Sequence, residues 1–168
     1  MMQFDSMPRA TFPTALGNCA VSWSETGLTG FELPETTVFG DDVSSPPEEI
    51  NALISRVQRH LTGVLQDFAD VHYDFGRVSE FPREVYHATL SIKAGSTASY
   101  GDLAAVLGYP PGMSRAVGTA LGSNLWPLLV PCHRIVSASG KMTGFSGPGG
   151  VKTKLRLLAL EGSQLFAE

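Results

Sequence analysis

"SYGDLAAVLGYPPGMSRAVGTALGSN" (residues 99–124) reads as two short helices across a tight turn. Ser99 and Asp102 have the spacing of a capping box in front of Leu103, Ala104 and Leu107. "GYPPGM" (residues 108–113) breaks the first helix, and "SRAVGTALG" starts a second. This is the helix-turn-helix arrangement, although helix hairpins are also common in proteins that never touch DNA. The second helix has an apolar seam of Val117, Ala120 and Leu121, while Arg115, Gly118 and Gly122 fall on the other side. Two glycines in a helix cost about 1 kcal/mol each relative to alanine. An outward face small enough for another backbone to approach would offset that cost; so would close helix packing inside the protein.

Before this unit, "SEFPREVYHATLSI" carries Phe81, Val85 and Leu90 on one helical side, and "KAGSTAS" ends it. The first half has a different pattern. "NCAVSWSETGLTGFELP" predicts two strands joined by a turn around Glu25 to Gly27. The loop "GDDVSSPPEE" follows, with Pro46 and Pro47 suited to a helix start. Ile50, Leu53, Ile54, Val57, Leu61, Val64, Leu65 and Phe68 then recur at helical spacing, predicting a helix over 48–68 with "VHYDF" as a strand after it.

A chain of 168 residues with 43% hydrophobic content can bury a real core, as one medium domain or two small ones. It has no apolar run of about 18 residues, which argues against a membrane span. The opening "MMQFDSMPRATFPTALG" lacks the basic and apolar segments of a secretory leader. Two cysteines, Cys19 and Cys132, are too few for a disulfide framework, and a reactive thiol needs a reducing compartment. The expected location is the cytoplasm, at the nucleoid in a bacterium. Residues 1–82 carry a formal charge of -8 and residues 83–168 one of +4. A basic second half suits an anionic partner such as nucleic acid, or reflects nothing more than an uneven surface.

"LLVPCHRIV" (residues 128–136) sets Cys132 beside His133 and Arg134. Cysteine is often simply buried, so a structural role is one reading. A zinc site is poorly supported, because Cys19 is the only other cysteine and there is no CxxC. The third reading is a nucleophile, since thiolate is the reactive form and a nearby base promotes it. Neighbours in an extended chain point to opposite faces, so His133 would need a turn or a bridging water to serve Cys132. Glu161 is a candidate to orient that histidine. In "GVKTKLRLLALEG" it falls beside a stripe of Val151, Leu155 and Leu158.

Two runs together carry a resemblance: "NLWPLLVPCHRIVSASGKMTGFSGPGGVKTKLRLLALEG", with "PCHRIV" as acceptor motif, and the helix-turn-helix ending at Asn124. Over about residues 81–162 the chain resembles the methylated-DNA–protein-cysteine methyltransferases, which repair guanine alkylated at O6. The resemblance implies an α+β protein: a small ribonuclease-H-like α/β domain (1–79), then a mainly helical, winged-helix-like alkyl-acceptor domain (80–168).

It also implies roles. The second helix enters the minor groove and the target base is turned out of the stack, as chemistry on a base inside a duplex requires. Arg115 fills the vacated space, while Ser114, Gly118 and Gly122 lie against the DNA. Tyr100 helps turn the phosphate and donates a proton to the leaving base. Cys132 attacks the alkyl carbon, with His133 and Glu161 taking its proton through water and Asn124 holding the motif's loop. The carbonyls of Cys132 and Ile135 and the amide of Ser146 read the guanine. Phe145 stands where a tyrosine is common in the family, and Trp126 stands in a segment where the family often has proline directly after the asparagine; both are expected at the base pocket. The implied partner is double-stranded DNA carrying O6-alkylguanine, with O4-alkylthymine a second candidate lesion. The protein is expected to act once, as a monomer, with no cofactor and no metal; His60 and His72 are expected to be ordinary histidines. A non-catalytic alkyltransferase-like sensor and a cysteine hydrolase are the competing functions. The sensors carry tryptophan at the acceptor position, which Cys132 argues against.

Overall fold

The computed structural model describes residues 8–34, 42, 45–138 and 150–163. Helix and sheet are mixed. The amino-terminal half is a three-stranded antiparallel sheet, β1 (Arg9–Thr14), β2 (Gly17–Ser24) and β3 (Gly27–Glu32), in the order β1-β2-β3. Strands β2 and β3 are the two expected from the sequence, with a bulge between Ser22 and Trp23. Strand β1 adds to them: Ala10 and Phe12 alternate into the core, and Pro13 is tolerated because β1 is an edge.

Helix α1 (Glu48–His60) packs on β1, burying Ile50, Leu53, Val57 and His60. Glu48 and Glu49 in its first turn and Arg59 and His60 in its last complement the helix dipole. It ends eight residues short of the helix predicted over 48–68. Gly63, at φ 100°, turns the chain, and the Gln66 N–H folds back onto Nδ1 of His60 at 3.0 Å. Leu61 and Phe68 stay buried, whereas Val64 and Leu65 are exposed, so the apolar spacing outlasts the helix. The strand expected at "VHYDF" is a single bridge, Tyr73 beside Leu28, followed by a 3-10 turn (Phe75–Arg77).

Helices α2 (Glu80–Leu90), α3 (Tyr100–Val106) and α4 (Ser114–Gly122) pack on one another. The capping box forms as expected: the Asp102 N–H donates to Ser99 Oγ and the Ser99 N–H to Asp102 Oδ2, both at 2.9 Å. Val117, Ala120 and Leu121 are buried, and Tyr86 ties α2 to α4 by donating to the Ala120 carbonyl at 2.7 Å. A two-residue parallel pair, β4 (Ala98–Ser99) with β5 (Ile135–Val136), joins the start of α3 to the end of the cysteine motif.

Helix α5 (Gly150–Leu160) buries Lys154, Leu157 and Leu158, with Glu161 just beyond it. The expected stripe of Val151, Leu155 and Leu158 is therefore out of phase: Val151 and Leu155 face outward. Two charged residues occupy the inward positions and disguise them. One apolar core runs from the sheet through α2, α4 and residues 126–130. Among the described residues no helix is long and apolar enough to cross a membrane.

Candidate active site

The segment leading to Cys132 is wound into a tight turn. Asn124 donates through Nδ2 to the Val130 carbonyl and accepts the Trp126 N–H at Oδ1, both at 2.9 Å. The Val130 N–H closes the turn on the Trp126 carbonyl, and Leu128 takes φ 80°. A bulky residue in that left-handed region costs roughly 1–2 kcal/mol, so the surrounding bonds must impose it. The same segment grips the sheet: Phe31 N–H donates to the Leu125 carbonyl, and Trp126 Nε1 donates to the Leu28 carbonyl at 3.0 Å.

Trp126 is fully buried, packed edge-on against Tyr73, Phe75 and Tyr86. This corrects the expectation that it walls the base pocket. The indole fills the junction between the sheet and the helices and has no surface left for a ligand.

Cys132 opens a 3-10 turn (Cys132–Arg134), which removes the geometric objection raised by an extended chain. It is partly exposed, unlike its buried neighbours His133 and Arg134. Desolvation pushes the Cys132 thiol up, opposed by the Asn124 side chain and the Lys154 charge. The resting group is the thiol, and its use as a nucleophile requires a base. Lys154 is buried, and its Nζ donates to the Ile135 carbonyl at 2.7 Å; desolvation holds its pKa below the ordinary lysine range. The Ile135 N–H closes the 3-10 turn on the Cys132 carbonyl. Each of these two carbonyls keeps a second lone pair.

Behind the cysteine lies a buried charge cluster centred on Glu161. Arg134 grips the carboxylate with two bonds of 2.8 Å, Nε to Oε1 and a terminal nitrogen to Oε2. Nε2 of His133 lies 3.0 Å from Oε2, and Nε2 of His60 lies 2.9 Å from the same oxygen. Burial alone would raise the Glu161 pKa; the bonds from Arg134, His133 and His60 instead hold it far below the carboxylate range. An ionised carboxylate only accepts, so His133 donates through Nε2. Desolvation lowers the His133 pKa, which makes the imidazole neutral at pH 7 with a lone pair on Nδ1. That Nδ1 is buried and makes no hydrogen bond among the described residues.

On the outer face, Arg115 and Gly122 are exposed and Gly118 is partly so. A methyl at Gly118 would sit 3.7 Å from Cε1 of Tyr100, an ordinary contact, so internal packing alone does not demand this glycine. Tyr100 begins α3 directly after Ser99, which the β4–β5 pairing sets opposite Val136, four residues after Cys132. Ser114 donates to the Pro111 carbonyl and so stabilises the turn before α4. Phe145 and Ser146 lie outside the described residues.

The structure thus joins Cys132, Asn124, His133 and Glu161, and adds Arg134, Lys154 and His60, to which the sequence reading assigned no role. Arg134 lies within the motif and Lys154 lies seven residues before Glu161, one face of a helix; both signals were present. His60 had none, since its partner is 101 residues away.

A family model described as 6-O-methylguanine DNA methyltransferase, DNA binding domain, matches residues 80–163. The chain is 38% identical over 145 residues to the methylated-DNA–protein-cysteine methyltransferase of Methanothermobacter thermautotrophicus, covering 86% of this chain and 80% of that one. Its identity to the protein of the same name from Mycolicibacterium paratuberculosis is 43% over 115 residues, 68% of this chain and 67% of that one. The solved structure of Mycobacterium tuberculosis OGT in complex with DNA matches with TM-score 0.76 and 34% identity, over 91% of this chain and 92% of that chain. Mycobacterium tuberculosis O6-methylguanine methyltransferase matches with TM-score 0.79 and 33% identity, over 97% of each chain. With half its length matched by the family model and most of it by these relatives, the chain belongs to the methylated-DNA–protein-cysteine methyltransferase family.

Proposed function

We propose that this protein repairs DNA by accepting, once per molecule, the alkyl group of an O6-alkylguanine turned out of the duplex. The carrying observation is the pairing of a partly exposed Cys132 with a His133 whose Nε2 is committed to ionised Glu161 and whose buried Nδ1 makes no hydrogen bond among the described residues. The thiol needs a proton acceptor, and Nδ1, relayed by a water, is that acceptor. The Cys132 sulfur then bonds the alkyl carbon as the carbon–O6 bond breaks, the electron pair leaving with guanine. Tyr100 gives the departing base a proton at a ring nitrogen and takes one back, through water, from the His133 imidazolium. Glu161 stabilises the imidazolium that forms, as a fixed charge needing no rearrangement. The thioether is stable and nothing regenerates the thiol, so the balance closes without a cofactor.

Recognition rests on α4, with Arg115 in the gap left by the flipped base and Ser114, Gly118 and Gly122 against the backbone. The carbonyls of Cys132 and Ile135 face the guanine with their free lone pairs. Residues 1–79 act as a ribonuclease-H-like unit and 80–168 as a winged-helix-like one; the three-stranded sheet with α1, and the α3–α4 pair beside β4–β5, support that division. The working form is a monomer and the partner is double-stranded DNA; that the partner is DNA is supported by the similarity to Mycobacterium tuberculosis OGT, whose structure is a complex with DNA.

The test is a titration with duplex DNA containing O6-methylguanine. Repaired guanine should rise to one equivalent per protein and stop, and Cys132→Ser should repair nothing while keeping its DNA affinity. Turnover well beyond one equivalent would point to a hydrolase, and binding with no repair by the unaltered protein to a sensor.

A further inference from the structure

Two histidines donate to Oε2 of Glu161, and only His133 belongs to the acceptor motif. The other, His60, is the last residue of α1, in the amino-terminal half. Its ring is fully buried and held from every side: Phe68 lies tilted against it at 5.4 Å between centroids, and the backbone N–H of Gln66 donates to Nδ1 at 3.0 Å. A nitrogen that accepts a hydrogen bond carries no hydrogen, so the ring hydrogen is on Nε2 and is aimed at Glu161. The way α1 ends therefore decides a tautomer at the site: Gly63 turns the chain, Gln66 returns to His60, and His60 reaches the carboxylate.

We propose that His60 is a positioning residue of alkyl transfer: its Nε2–H anchors Glu161 Oε2 and shares that oxygen's charge with His133, keeping Nδ1 of His133 bare for the thiol proton. This rests on the reading of Cys132 and His133 as acceptor and base. An oxygen that receives donors from His60, His133 and Arg134 is a weaker acceptor for each than one serving two. Without His60 the carboxylate would hold the imidazolium form of His133 more strongly, and the base would already be protonated at a higher pH. The charged and titratable groups facing the cluster are Arg134 and His133 on the 3-10 turn, Glu161 after α5, and Asp67, whose charge reaches Arg134 and which is itself paired with Lys93. Lys154 on α5 faces Cys132.

The experiment measures single-turnover methyl transfer from O6-methylguanine duplex DNA across pH, with DNA affinity and thermal stability measured alongside, for the unaltered protein, His60→Phe and His60→Gln. Phe fills the space without a donor. Gln carries an amide N–H near the place of Nε2. His60→Phe should slow transfer about threefold or more and move the acid midpoint of the rate upward by about half a pH unit, at unchanged DNA affinity. His60→Gln should restore most of the rate and the original midpoint. A His60→Phe protein with unaltered rate and midpoint would overturn the proposal. So would a loss that tracks stability alone, equal in both variants and with no shift of midpoint. Nitrogen-15 titration of the resting protein decides the matter independently of transfer. His60 should be protonated at Nε2 and bare at Nδ1, and the His133 midpoint should be higher in His60→Phe; the opposite tautomer, or no change at His133, would overturn the inference. If the unaltered protein forms no thioether at all, it is the functional reading that fails, and the titration still judges His60.

Discussion

Replacing Glu161 with glutamine keeps the side chain's shape and removes the negative charge on which the buried cluster converges. Four hydrogen bonds end on the carboxylate, two of them from Arg134, which is 5% exposed. In Glu161→Gln the amide nitrogen cannot accept, so at least one donor faces another donor, and the guanidinium keeps a single bond to the neutral amide oxygen beside the one to the Ile92 carbonyl, at 2.6 Å. Removing one partner of a buried ion pair costs about 3–5 kcal/mol. Against a total stability of about 5–15 kcal/mol for a domain, that is a large share. For a chain of this size it lowers the melting temperature by about 6–20 °C. Urea unfolding at pH 7 and calorimetry both read the loss. The sign with pH is fixed by the depressed carboxyl. Its contribution is complete above the unfolded carboxyl value, about 4.3, and is lost only as pH falls toward the much lower folded value. The gap between variant and unaltered protein should therefore hold from about pH 8 to about pH 5. Exchanging both partners, Glu161→Leu with Arg134→Met, should recover part of the loss. A Glu161→Gln protein within about 1 kcal/mol of the original would refute the reasoning, as would a gap already closing near pH 6.

Three further outcomes are expected. Asn124→Ala frees the Val130 carbonyl and the Trp126 N–H and releases the turn that holds Leu128 at φ 80°; stability should fall by about 1–3 kcal/mol and transfer should slow more than DNA binding weakens, whereas unchanged unfolding and rate would contradict this. Trp126→Phe removes the indole donor to Leu28, so urea unfolding should show a loss of about 1–3 kcal/mol with no change in preference among alkyl groups of different size. A shifted lesion preference would return that ring to the pocket. Arg115→Ala should slow repair in duplex DNA more than transfer from a free O6-alkylguanine base, and equal losses would remove its role in flipping.

The parts of the fold legible in the sequence are those that depend on near neighbours. The capping box of Ser99 and Asp102, the glycine and proline turn, and the seam of α4 are local features, and each formed as read. The acceptor motif was legible through the resemblance that "PCHRIV" carries, since the residue types alone leave a structural cysteine and a nucleophile both open. What escaped the reading is decided over long range. Lys154 and Glu161 look like solvated positions until Ile135 and Arg134 are seen to bind them, and that shifted the expected phase of α5. Trp126 looked like a pocket wall because of its closeness to the motif in the chain, yet its partner Leu28 is 98 residues away. The apolar spacing after His60 continued past the true end of α1, because Leu61 and Phe68 remain buried in a chain that has already turned. Cysteine, histidine and carboxylate could be named from residue types; the second histidine on Glu161 required the fold.

The central claim is that Cys132 itself takes up the carbon. Reacting the protein with duplex DNA containing O6-methylguanine, digesting it and mapping the peptides by mass spectrometry tests this directly. One methyl should replace the thiol hydrogen of Cys132 in every active molecule, with Cys19 unmodified. Repaired DNA without a modified Cys132, or a methyl found on another residue, would contradict the account.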